Sequence, residues 1–116
     1  MAADLEDVES RLRALLDRYR PELVDSTIYG IPSLVLPGAG GHDYFAAIKR
    51  GQQAVSLYLI IADRYPEDLA AASPELQARR SGRATFAFRS LDDQLASDLA
   101  GFLDRLLERY RAEHQA

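Results

Sequence analysis

Amphipathic helical segments at both ends of the chain, with short β-patterned runs clustered between them, predict an α+β fold. It is expected to be an antiparallel sheet of about five strands packed by the N- and C-terminal helices, with a short helical insert before the last strand. The length of 116 residues suits a single domain, 1–116, with one core. Composition agrees: 47% hydrophobic and 28% charged residues describe a folded chain and not a disordered one.

The first helix is set by Leu5, Val8, Leu12, Leu15, Leu16 and Tyr19, which recur at three- and four-residue steps along one stripe. Asp4, Glu6, Asp7 and Glu9 crowd its first turns, where the helix dipole favours negative charge, and Pro21 stops it. The period then changes. STIY, SLVL, DYFAAIK, AVSLYLI and RATFAF are short runs rich in β-branched and aromatic residues. PGAGGH (37–42) is a hairpin tip and RGQ (50–52) a tighter turn. In DYFAAIK, alternation assigns Tyr44, Ala46 and Ile48 to one face and Phe45, Ala47 and Lys49 to the other.

IYGIPSL (28–34) reads as two short strands joined at a kink, or as one edge strand with a bulge, because Gly30 permits a bend and Pro32 cannot donate to a ladder. In the insert, Pro66 suits a first helical turn, Ser73-Pro74-Glu75 starts another helix, and Gly82 is expected to close it after Arg79 and Arg80. Leu95, Leu99, Phe102, Leu103, Leu106, Leu107 and Tyr110 form the stripe of the final helix, with Ser90 and Asp93 placed as in a capping box. Gly101 inside it marks a close approach or is merely tolerated.

These stretches carry a resemblance. YGIPSL, YFAAIKRGQQAVSLYL and SGRATFAFRSLDDQLASDL, in that order, resemble the YdhG-like family over about residues 24–107. That family is mostly of unknown function and includes a frataxin-like iron chaperone. The resemblance implies a compact α+β domain with an antiparallel sheet packed by terminal helices. Family members often carry K-x-H-[IV]-x-[LF]-Y at a strand start. Here QAVSLY stands there, with Ala54 in place of the histidine and Tyr58 retaining the tyrosine.

The composition excludes several chemistries. There is no cysteine, hence no disulfide, thiolate metal site or cysteine nucleophile. The N-terminus is acidic and amphipathic, unlike a signal peptide, and SLYLIIA is too short to cross a bilayer, so a cytoplasmic location is expected. No G-x-S-x-G occurs, and Ser33 has no base nearby in sequence. GAGG (38–41) lacks the following helix and lysine of a phosphate loop.

The net charge is −4, with acidic ends flanking a mildly basic middle that holds Lys49, Arg50, Arg79, Arg80, Arg83 and Arg89. Solvated arginines account for these better than nucleic-acid binding does, since the acidic helices repel phosphate. Asp4, Glu6 and Asp7 offer carboxylates to iron, but the same acids complement a helix dipole. His42 and His114 have no close histidine partner in sequence.

The specific function the residues favour is a small-molecule or peptide site on the sheet. Tyr29, Tyr44 and Tyr58 would line it beside Gly30 and Pro32, with Lys49 or Arg83 orienting an anion. The reading is a noncatalytic binding protein with a small ligand or protein partner. Frataxin-like iron handling is the alternative, and an enzyme without an identifiable catalytic group the third. The apolar SLYLII strand and uncovered sheet edges also suggest a homodimer.

Overall fold

The computed structural model describes residues 3–20, 22–28, 30–37 and 44–114, with the backbone alone for residues 3 and 4. The chain runs α1 (Ala3–Asp17), β1 (Val24–Ile28), β2 (Ile31–Val35), β3 (Ala46–Arg50) and β4 (Val55–Tyr58), then α2 (Ile60–Arg64), α3 (Pro66–Ala70) and α4 (Pro74–Gln77). It closes with β5 (Arg80–Gly82), β6 (Thr85–Phe88) and α5 (Asp93–Glu113). All strand pairs are antiparallel, in the order β1-β2-β3-β4-β6-β5. This is the α+β architecture expected from the sequence.

The sixth strand is the principal difference. Gly82 does not close a helix, because α4 ends at Gln77 and Arg80–Gly82 pairs with β6. The Arg79 carbonyl accepts from the Ala87 N–H at 2.8 Å, which turns the chain into the sheet. The register then slips between Arg80 and Gly82. The Arg80 guanidinium donates to the Gly82 and Arg83 carbonyls at 3.1 and 3.0 Å. A short, charged, irregular edge of this kind resists pairing with another chain.

Local signals fix the helix starts. Ser73 caps α4 by accepting from the Leu76 N–H at 3.2 Å, with Pro74 at the first position, as its sequence predicts. The cap of α5 is Asp92, which accepts from the Leu95 N–H at 2.8 Å, and not a box built on Ser90. Leu91 is buried, so the chain is still anchored in the core one residue before the cap. At Gly101 a Cβ would meet no atom within 4 Å, so no close approach requires the glycine.

One sheet face builds the core. Cross-strand register aligns Leu34 with Ala46, Ile48 with Leu57 and Phe86, and Val55 with Phe88. Val8, Leu12 and Leu16 of α1 and Leu99, Phe102, Leu103 and Leu106 of α5 close over them. Phe45 departs from the alternation expected of it. It lies in a bend just ahead of β3, is fully buried, and meets Tyr19 edge-on at 5.7 Å and Tyr110 at 5.6 Å. Its ring thus joins the sheet, the turn that follows α1 and the last helix.

The two long helices lie side by side. Asp104 of α5 accepts from Arg18 at 3.0 Å and from the Tyr19 hydroxyl at 2.6 Å, and Arg11 reaches Asp93 at 3.1 Å. The exposed ion pairs set alignment more than stability, since such pairs contribute about 0–1 kcal/mol. Burial, and then the bond to Asp104, pushes the Tyr19 phenol well above its ordinary range.

Candidate ligand-binding site

The site begins at the hairpin that IYGIPSL encodes. Ile28 pairs with Ile31, so only two residues separate β1 from β2, and Gly30 adopts φ +77°. Glycine reaches that region without a Cβ penalty. The stretch is therefore two strands joined by a tight turn, neither a bulged single strand nor a simple kink.

Pro32 follows inside β2, opposite Thr27. The β2–β3 register pairs Leu34 with Ala46 and Ser33 with Ala47, and goes no further toward Pro32. Proline has no N–H to give β3, so the β2–β3 ladder stops short of it while the β1–β2 pairing continues past it to Ile28 and Ile31. Beside this end of the ladder the last two turns of α1 leave a cleft of about 210 Å³. Leu16, Pro32, Leu34, Ala46, Ala47 and Ile48 supply its apolar surface, and Arg13, Asp17, Arg20, Asp25 and Ser33 complete the lining.

The charges of the cleft are already answered. Arg20 bonds Asp17 at 3.0 Å and Asp25 at 2.5 Å, tying the end of α1 to β1. Its hydrogen bond is the main reason the Asp25 carboxyl titrates below its ordinary range. Arg13 bonds Glu9 at 2.9 Å. Ser33 differs: it is 5% exposed, and its Oγ has no partner among the described residues.

Ser33 also belongs to the other sheet face. Register places Ser26, Ser33, Ala47, Tyr58 and Thr85 in one row across β1, β2, β3, β4 and β6. In the next row Lys49 pairs with Ser56, and Ser56 with Ala87. These residues lie opposite the helix-packed core face. Ala47 is 1% exposed between the half-buried Tyr58 and the buried Ser33. The Ser33–Ala47 pair is thus where the cleft and the hydroxyl-bearing row meet.

The residues singled out from the sequence divide accordingly. Pro32 lines the cleft and Gly30 forms the adjoining turn. Tyr58 and Lys49 share the face away from the helices, and Tyr44 is half-buried just ahead of β3. Arg83 is at the far edge of the sheet in the β5–β6 turn, 88% exposed and 3.5 Å from Asp63, so it does not join them. Tyr29, Pro21, His42 and the side chain of Asp4 lie outside the described residues. Glu6 is exposed, and Asp7 pairs with Arg11 at 3.3 Å. Among the described residues, no group of three His, Cys, Asp or Glu side chains is placed to hold a metal.

Sequence reasoning did not place Ser33, Arg13 and Arg20 together beside a cleft. Ser33 was legible as the one hydroxyl within IPSLV, a run with apolar residues on either side. Arg13 and Arg20 read as ordinary polar positions of α1, because only the tertiary fold brings them beside β2. No family model, no curated protein and no solved structure matches the chain. None of the described helices is long and apolar enough to cross a membrane.

Proposed function

We propose that this is a noncatalytic cytoplasmic binding protein of YdhG-like type, which holds a small ligand in the cleft between α1, β2 and β3. The observation that carries the reading is the cleft itself, about 210 Å³, in which the apolar Leu16, Pro32, Leu34 and Ile48 stand beside Arg13, Asp17, Arg20 and Asp25.

Catalysis is not favoured by this arrangement. A serine nucleophile needs a base within hydrogen-bond reach, and Ser33 Oγ has none among the described residues. Asp17 and Asp25, the carboxylates of the cleft, are engaged by Arg20.

A thermal-shift screen of metabolites, with hits mapped by amide NMR, tests the reading. A ligand that binds only the folded state at 100 times its Kd stabilises by about 2.7 kcal/mol. Hits are expected to perturb the amides of Ser33, Leu34, Ala46 and Ala47. Hits that map to the outer surface of α5, or that are turned over, would refute the assignment.

A further inference from the structure

We infer that β1 is the strand by which two copies of this chain pair, antiparallel and edge to edge, about a two-fold axis at Ser26. The inference is independent of the cleft. Three features of the β1 edge carry it.

The first is the set of backbone groups that β1 presents. The sheet ends at β1 on one side and at β5 on the other. Hydrogen-bonded and non-hydrogen-bonded pairs alternate along an antiparallel ladder. Thr27 stands opposite Pro32, which has no N–H to exchange, so theirs is a non-hydrogen-bonded pair. Ser26–Ser33 and Ile28–Ile31, on either side, are then the hydrogen-bonded ones. The N–H and C=O groups of Asp25 and Thr27 therefore point away from β2 along the open edge, and both residues are exposed.

The second is the lack of protection. β5 is short and charged, and its register slips. β1 has five residues in continuous register, without proline, lysine or arginine, and its one charge is held by Arg20. A regular edge of this kind is a template for another strand.

The third is self-complementarity. With Asp25 opposite Thr27 of the second copy, the outward groups exchange hydrogen bonds at two symmetry-related pairs. Ser26 then meets Ser26, and Val24 meets Ile28, on the face away from the helices. Val24 is the exposed large hydrophobic side chain among the described residues, at 39%, and this register gives it an apolar cross-strand neighbour. Each neighbouring register keeps one hydrogen-bonded pair, and one of them sets Asp25 directly against Asp25, like charge on like.

The chain has no cysteine, so one introduced thiol reports the register. A non-hydrogen-bonded pair holds its Cα atoms about 4.5 Å apart, within the span of a disulfide. Ser26→Cys sets a thiol against its own copy, whereas Thr27→Cys, at the more exposed position, faces Asp25. In a glutathione redox buffer Ser26→Cys is expected to form the linked dimer at least about tenfold faster, the reverse of the order that chance collision gives. Sedimentation equilibrium of the parent chain is expected to show a weak, reversible dimer with a Kd at or below about 1 mM. Thr27→Pro removes an outward N–H that β2 does not use, and should weaken that dimer at least about tenfold. Val24→Lys, which sets a charge beside Ile28 of the second copy, gives the same answer should the proline variant fail to fold. A parent chain that stays monomeric at that concentration overturns the second copy as the occupant of this edge. A dimer that both variants leave intact, or equal cross-linking of the two thiols, overturns the pairing at Ser26.

Discussion

Phe45→Ala distinguishes the observed fold from the simple alternation of DYFAAIK. Alternation assigns Phe45 to the face away from the helices, where truncation would cost little. In the structure it is fully buried, with ring contacts to Tyr19 at 5.7 Å and Tyr110 at 5.6 Å. Truncating a buried phenylalanine costs about 3–5 kcal/mol. The two ring contacts, each worth about 0.5–1.5 kcal/mol beyond burial, place this site in the upper part of that range. An unfolding entropy of roughly 2.1 cal/mol/K per residue gives a domain of this size about 0.24 kcal/mol/K at its midpoint. A loss of about 4 kcal/mol therefore lowers Tm by roughly 17 °C. Scanning calorimetry of Phe45→Ala, with Phe45→Leu as a milder partner should the first fail to fold, reads this directly. A fall of under about 4 °C for Phe45→Ala would refute the three-way junction and return Phe45 to the open face.

Two further predictions concern α5. No atom lies within 4 Å of a Cβ built at Gly101, so Gly101→Ala should stabilise by about 1 kcal/mol through helix propensity and raise Tm by about 4 °C. A lower Tm would mean that the helix packs more closely there than described. Arg111 bonds Glu22 at 2.5 and 2.6 Å, and this hydrogen bond is the main reason the Glu22 carboxyl titrates below its ordinary 4.5. A depressed carboxyl stabilises the fold above its unfolded pKa, and that contribution is lost as pH falls through the folded one. Urea melts of Glu22→Gln should therefore show a deficit of under about 1 kcal/mol at pH 7 that shrinks as pH falls below the ordinary carboxyl range. A deficit that does not shrink on acidification would show that the loss is not electrostatic.

How much was legible depended on the range of the signal. The stripes of α1 and α5 and the cap at Ser73 are local patterns, and each appears where the residues place it. Phe45 was misassigned because period-two alternation was extended one residue beyond the strand, into a bend. Arg80–Gly82 was misread because Gly82 after two arginines imitates a helix end. Only pairing with a distant strand makes it an edge. At the site, Pro32 announced the end of the ladder through its missing N–H. The cleft itself needed α1 laid against β2 and β3, a juxtaposition that no window of the sequence contains.

The central claim about the sheet is that the Ser33 hydroxyl is buried without a partner among the described residues. The melting temperature of Ser33→Ala, measured against the parent protein without any ligand, tests it most directly. If the hydroxyl is buried without a partner, its removal relieves a desolvation cost and Tm stays level or rises. A fall of about 4 °C, the loss of one ordinary hydrogen bond of about 1 kcal/mol, would show that the fold already satisfies Ser33.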